Sequence, residues 1–263
     1  MKNLIKPSFG FLAVALLALP GHAVPVGNYD FTSPAANSGY YFAPGADGGN
    51  PSTAVDDWTF SDSESVGGIT TSSNVPAGVN QDAFFNNTDD GSNSMPTIFP
   101  LNTITYSGTG ADALPNILSG QTYTLTVALG VPAGQAADYS LSLLAGASPV
   151  ATATVDSANF GLPLSGTTAT GGGYTDFYDL SVTLSAATIA ADSLGGKQLG
   201  IQLGSQEVDT AEPYSVNGDY SQTYFSDVRL VETPEPSTFA MVGLLGGLGL
   251  LVLIRRSRAG LTN

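Results

Sequence analysis

The sequence predicts an all-β protein built as a sandwich, and three observations carry that expectation. Apolar and hydroxyl side chains alternate with period two through its middle, and Gly, Pro, Asn and Asp punctuate the intervals. Between the two ends, only residues 186–194 offer even a short helical stretch. Alternation with period two is the signature of strands with one face buried, and turn residues at short intervals favour antiparallel pairing.

The first element is a leader. Lys2 and Lys6 make a basic start, Phe9 to Leu19 is apolar, and Pro20-Gly21-His22-Ala23 supplies a breaker with small residues at Gly21 and Ala23. This order is that of a secretory signal cleaved after Ala23, so 1–23 is set apart as a signal peptide.

The body, 24–233, is the length of a single β domain. Its first third is rich in Gly, Asn, Asp, Ser and Pro, above all at 37–51 and 86–96, which read as long loops. Strands then follow in order. Tyr123, Leu125, Val127 and Leu129 alternate with Thr122, Thr124, Thr126 and Ala128. Tyr139, Leu141 and Leu143 alternate with Ser140 and Ser142, and Leu180, Val182 and Leu184 repeat the pattern. Leu199, Ile201 and Leu203 make another strand, and 224–231 a last one.

The chain closes with Pro234-Glu235-Pro236, an uncharged run from Phe239 to Ile254, and a cluster of Arg255, Arg256 and Arg258. Sixteen apolar residues span about 24 Å as a helix, short of a bilayer core of about 30 Å. Flanking residues and snorkelling arginines extend the reach, giving an expected membrane helix at about 238–255. The arginines place 259–263 in the cytoplasm and the body outside.

Charge and composition exclude several functions. The body holds two bases, Lys197 and Arg229, against 21 acids, a net charge of −19, which repels nucleic acid. There is no cysteine, and the single histidine, His22, lies in the leader. Thiol chemistry, imidazole-based zinc sites and Ser-His-Asp triads are therefore excluded from the mature body. Carboxylate chemistry and calcium binding stay open. The polar run 86–93 does not keep the register of an EF-hand loop, because Asn86 and Thr88 fall where carboxylates belong.

The tail resembles the PEP-CTERM sorting signal, a pattern also described as an ice-binding-protein C-terminal domain. The resemblance covers 234–258 and rests on the Pro-Glu-Pro motif, the glycine-rich apolar run and the arginine cluster. It implies recognition of Pro234, Glu235 and Pro236 by an exosortase-type enzyme, after signal peptidase has removed the leader. The protein would cross the inner membrane of a Gram-negative-type bacterium and reach the cell surface or extracellular matrix.

The body resembles the galactose-binding-like jelly roll of many carbohydrate-binding modules. Asn28-Tyr29-Asp30-Phe31 looks like its opening strand, Leu118 to Leu125 its mid-domain turn and strand, and Tyr224 to Leu230 its closing strand. The fold class expected is thus a jelly-roll-like β-sandwich with a leader and one terminal membrane helix. In that family a structural calcium often joins the opening and closing strands, which makes Asn28, Asp30 and Asp227 its candidate ligands. Thr32 stands where many members have glutamate, which removes one ligand from that set.

Sugar contacts combine aromatic faces with polar neighbours, and Tyr40, Tyr41, Trp58 and Tyr174 are the candidates for them. For Trp58, a place in the core is the competing reading. Two carboxylates about 5–9 Å apart would suffice for a glycosidase, and Asp56 with Asp57 or Asp176 with Asp179 are close in sequence. The resulting expectation is a noncatalytic surface protein that associates with extracellular polysaccharide. A self-associating coat protein and a carboxylate-dependent glycoside hydrolase are the alternatives.

Overall fold

Alternation along each strand sorts the side chains into a core between two sheets. The computed structural model describes residues 21–33, 40–42, 55–61, 66–70, 81–87, 101–132, 137–156, 175–207 and 221–235. The expected membrane helix at 238–255, Pro236, Arg255, Arg256, Arg258 and Tyr174 lie outside the described residues, as does most of the two loops. Among the described residues no helix is long and apolar enough to cross a membrane.

The strands are β1 (His22–Val24), β2 (Tyr40–Phe42), β3 (Trp58–Ser61), β4 (Val66–Thr70), β5 (Asp82–Asn87), β6 (Asn102–Tyr106), β7 (Gln121–Pro132), β8 (Ala137–Ala145), β9 (Ser148–Asp156), β10 (Thr175–Leu184), β11 (Leu199–Glu207) and β12 (Ser221–Pro234). The larger sheet runs β10-β7-β12-β5-β4-β2, with β1 also on β12; the smaller runs β3-β6-β11-β8-β9. The pairings of these strands are antiparallel. The all-β sandwich expected from the alternation is the architecture observed.

Register explains the core. Leu125 on β7 lies between Val182 on β10 and Leu230 on β12, and Leu203 on β11 lies between Leu141 on β8 and Ile104 on β6. All six are buried in the cluster that joins the sheets. Aromatic pairs bridge the layers: Tyr139 meets Phe225 at 5.5 Å and Phe60 meets Phe85 at 5.6 Å between ring centroids. Edge contacts of this kind add to the burial of large rings.

Among the described residues one α-helix interrupts the strands, α1 (Ala186–Ala191), shorter than the stretch 186–194 read from sequence. Ser185 caps it by accepting a hydrogen bond from the Thr188 amide at 3.1 Å. Ser193 adopts a left-handed φ of 53°, so the helix cannot continue through it.

Both ends of the body are folded onto the larger sheet. Ala23 lies in β1 opposite Val231, so the expected cleavage position falls inside a paired strand. Gly21 packs so closely on β12 that a Cβ there would stand 2.7 Å from Val231 Cγ1. Pro234 is the last residue of β12, opposite Gln121. The Glu235 amide donates to the Gly120 carbonyl at 2.9 Å, and Thr122 Oγ1 donates to Glu235 Oε1 at 3.0 Å. Residues 21–235 form one compact unit.

Candidate functional site

The outer side of the larger sheet carries a buried aromatic patch that the alternation argument does not anticipate. On β5, Ala83 and Phe85 enter the sandwich core, so Asp82 and Phe84 point to the opposite face. On β12, Thr223 bonds Ser205 of the smaller sheet and Phe225 packs in the core. Tyr224 and Ser226 therefore face outward too. Phe84, Ala128, Phe177 and Tyr224 form a second buried cluster, with exposures of 8% or less. Register makes the cluster: Tyr224 stands opposite both Phe84 and Gly130, and Gly130 stands opposite Phe177.

The next row of the same face holds the chemistry. Ser226 lies opposite Ala128, and Asp82 lies one step beyond the Ala83–Phe225 pair, beside Ser226. On its other side Asp82 is opposite Thr70, which in turn is opposite Tyr40 on β2. Tyr41 falls opposite Ile69, in the alternate row. Among the described ligand candidates Tyr40, Tyr41 and Trp58, Tyr40 alone shares a row with the buried acid.

Asp82 is fully buried, and burial pushes its pKa up to about 8. The Ser226 hydroxyl opposes that shift by favouring the charged form. Even so, neither carboxylate oxygen nor Ser226 Oγ completes a hydrogen bond. A carboxyl in this state is a neutral acid at pH 7, ready to donate a proton.

Beyond Ser226 the face becomes solvent-exposed and charged. A β-bulge sets Asp227 and Val228 opposite the single residue Val127, because Ser226 pairs with Ala128 and Arg229 with Thr126. Asp227 takes a φ of 48°, and the Val228 amide turns away to the Tyr29 carbonyl at 3.0 Å. Arg229 Nη2 donates to both oxygens of Asp179 at 2.8 and 2.7 Å, and its Nε to Asp227 at 3.1 Å. The Asp227 carboxyl is raised by burial, drawn down by Arg229, and pushed up again by Asp179 and Asp30.

The expected calcium ligands do not converge on a cation. Asp30 and Asp227 are neighbours, but Asp227 is held by a guanidinium and Asp30 Oδ1 accepts from Thr32. Asn28 is committed elsewhere: its Nδ2 donates to the Ser33 and Asp56 carbonyls, and its Oδ1 accepts from the Ser33 amide. A calcium would have to displace these partners and tolerate Arg229, so this donor set does not fit it. Among the described residues no group of three or more His, Asp or Glu could hold a metal.

Trp58 belongs to the core rather than to a binding face. It is 2% exposed, its Nε1 donates to the Asn28 carbonyl at 3.1 Å, and Phe31 packs on it tilted and Tyr106 edge-to-face, with ring centroids at 5.1 and 5.0 Å. Its position on edge strand β3 at the end of the sandwich requires a large ring to close that end. Asp57 beside it has a φ of 63° and an elevated pKa, from burial and then from Asp112 and Asp56. This acid closes a turn against Gly27 and Tyr106. Asp179, from the other glycosidase pair, is occupied by Arg229.

Sequence reading missed Asp82. One signal was present: an acid in phase with Phe84 on a strand-like run, where aspartate is disfavoured. What made it significant was its depth, which depends on β4 and β12 arriving on either side.

The family model described as HpiC1-like, HpiC1 cyclase, matches residues 22–231. Two solved cyclases from Fischerella sp. TAU share the fold at 18% identity, each aligned over 82% of this chain and 100% of its own. One is the Stig cyclase Fisc in complex with (3Z)-3-(1-methyl-2-pyrrolidinylidene)-3H-indole, with a TM-score of 0.52. The other is in complex with 4-(1H-indol-3-yl)butan-2-one, with a TM-score of 0.51. No curated protein matches the chain. The match to a cyclase overturns the expectation of a noncatalytic, polysaccharide-associating surface protein, and both of its alternatives with it. It stops at residue 231, short of Pro234, Glu235 and Pro236, and lends the sorting, exosortase and membrane expectations no support.

Proposed function

The chain belongs to the HpiC1-like cyclase family, and on that premise we propose that it is an acid-initiated cyclase whose proton donor is Asp82. The observation that carries this reading is the Asp82 carboxyl itself, buried, without a hydrogen-bond partner and bordered by Phe84 and Tyr224, where burial pushes its pKa up to about 8. An unpaired buried acid costs stability, so its retention points to a use.

The chemistry balances within the site. Asp82 transfers its proton to a carbon–carbon double bond of the substrate, forming a C–H bond and leaving a carbocation beside a new carboxylate. A second π bond or an aromatic ring attacks the cation and closes a ring through a new C–C bond. Loss of a proton from the closed ring to the Asp82 carboxylate restores the acid, and the product is an isomer of the substrate. Ring faces such as Phe84, Tyr224 and Phe177 stabilise passing positive charge by about 0.5–2 kcal/mol each. The same apolar surroundings limit capture of the cation by water.

Flat aromatic neighbours suit a flat, π-rich substrate, and the two Fischerella sp. TAU cyclases hold indole compounds. An indole bearing an unsaturated chain is the substrate class proposed here. The leader 1–23 adds that the enzyme works outside the cytoplasm.

The test combines binding with turnover. Calorimetry with 4-(1H-indol-3-yl)butan-2-one checks for an indole site. Incubation with alkenyl indoles in D2O, followed by mass spectrometry and NMR, checks for a cyclised isomer carrying one deuterium. Failure to bind the probe at millimolar concentration, together with recovery of every alkenyl indole unchanged, would sink the proposal.

A further inference from the structure

We propose that Ser226 is a specificity-determining residue: its hydroxyl accepts a hydrogen bond from the ring N–H of the substrate and so sets how that ring lies beside Asp82. The inference deepens the cyclase reading and rests on the indole class named there.

Ser226 is fully buried, yet its Oγ has no hydrogen-bond partner. A hydroxyl offers one donor and two acceptor positions, and buried polar side chains nearly always use at least one of them. Its neighbours on the outer face explain why none is used. On one flank stands Ala128 of β7, which presents only a methyl group. On the other stands Asp82 of β5, whose two carboxyl oxygens are unpartnered as well. Two residues back along β12 is Tyr224, in the aromatic cluster. Ahead, the bulge sends Val228 into the core, while Arg229 is engaged by Asp179 and Asp227 and Thr126 is bonded to Ser181. Among the described residues, the strands flanking Ser226 thus set one polar side chain beside it, Asp82, and leave both without a bond. The direction that remains is away from the sheet, where a molecule lying on this face would stand.

The chemistry divides the two groups between two tasks. In the proposed reaction the Asp82 O–H is delivered to a carbon–carbon double bond, so the ring N–H needs an acceptor of its own. An indole N–H is a donor only, and Ser226 Oγ has lone pairs to receive it. Same-face positions two apart on a strand are separated by about 6.8 Å, a distance a fused bicyclic ring covers. With its body over Tyr224 and Phe84, such a ring brings its N–H edge to the row of Ser226 and Asp82. Side chains opposite one another on neighbouring strands have Cβ atoms about 4.5–5.5 Å apart, so a ring held at Ser226 carries its adjoining substituent to the acid.

Calorimetry with 4-(1H-indol-3-yl)butan-2-one and its N-methyl counterpart tests this on the full chain. The parent should bind the N–H probe about tenfold more tightly, the worth of one buried hydrogen bond. Ser226→Ala should bind the two probes within about twofold of each other, and Ser226→Thr, which keeps a hydroxyl, should retain the preference. Urea unfolding supplies a second readout: an unpartnered hydroxyl adds nothing to the fold, so the Ser226→Ala midpoint should equal or exceed that of the parent. A parent that binds neither probe or does not discriminate, or a Ser226→Ala that still does, overturns the proposal. So does a lowered midpoint or a failure of Ser226→Ala to fold, since the hydroxyl would then be serving the structure. If Ser226→Thr does not fold, Ser226→Ala decides alone. Turnover in D2O judges Asp82 separately: cyclisation without an N–H preference removes only the role of Ser226, and the preference without cyclisation removes only the acid.

Discussion

Asp82 on β5 and Ser226 on β12 sit side by side on the outer face of the larger sheet, and neither side chain completes a hydrogen bond. Buried polar groups left unpaired are rare in folded proteins because each costs roughly 1–3 kcal/mol. Here the pair stands where the buried aromatic patch meets the charged rim of Arg229, Asp179 and Asp227.

Replacing Asp82 by Asn keeps shape and removes the transferable proton. Cyclisation is expected to fall by about 10²–10⁴-fold, the usual worth of a general acid. Calorimetric affinity for 4-(1H-indol-3-yl)butan-2-one should stay within a few-fold of the parent.

Stability should carry the mark of this acid. Its folded pKa, about 8, lies above an unfolded value of about 3.9. Between those values the folded state holds a proton that the unfolded state has lost, so this group's contribution falls as pH rises from about 4 to about 8, by on the order of 5 kcal/mol. Urea unfolding of the parent and of Asp82→Asn across that window isolates the effect. The stability difference between them should shift steadily in favour of the variant as pH rises, then level off above pH 8.

Phe84 packs at the centre of the outer cluster. Phe84→Ala should lose about 3–5 kcal/mol of stability through the cavity it leaves. Phe84→Leu fills most of that space and should fold, yet lose roughly 3–30-fold in turnover through the missing cation–π contact. Denaturant midpoints and isomer yield separate the two effects.

The single tryptophan offers a probe of the core. Trp58→Phe deletes the bond to the Asn28 carbonyl and part of the ring packing against Phe31 and Tyr106. A loss of about 1–3 kcal/mol is expected, with turnover of folded protein unchanged. In the parent, emission should be blue-shifted and should move red in step with global unfolding, since the ring is 2% exposed.

Asn28→Ala removes three hydrogen bonds that close the 28–33 loop on Asp56. Its cost, about 1–3 kcal/mol, should be the same with calcium or with a chelator, because the side chain already has protein partners. A cost that appears only with calcium would restore the ligand role.

The strands were legible because burial on one face imposes period two on the chain. Leu125, Val127 and Leu129 on β7 and Leu199, Ile201 and Leu203 on β11 face the core as the alternation predicts. Trp58 was ambiguous for a physical reason: a lone tryptophan beside polar residues has the same sequence surroundings whether it closes a core or greets a ligand. Asp30 and Asp227 lie near one another, but sequence could not show that Asn28 is held by Ser33 and Asp56 and Asp227 by Arg229.

Sequence alone determined the sandwich, the acidic body and, through the lack of cysteine, the exclusion of thiol chemistry, since those follow from composition and local periodicity. Only the tertiary structure decided which of the acids matters. A carboxyl's pKa depends on how much water and charge surround it, and for Asp82 that is set by strands far away in the chain, β4 on one side and β12 on the other. The same non-local pairing gathers Phe84, Ala128, Phe177 and Tyr224 from four strands into one surface. No periodicity within any one of those strands encodes the meeting of all four.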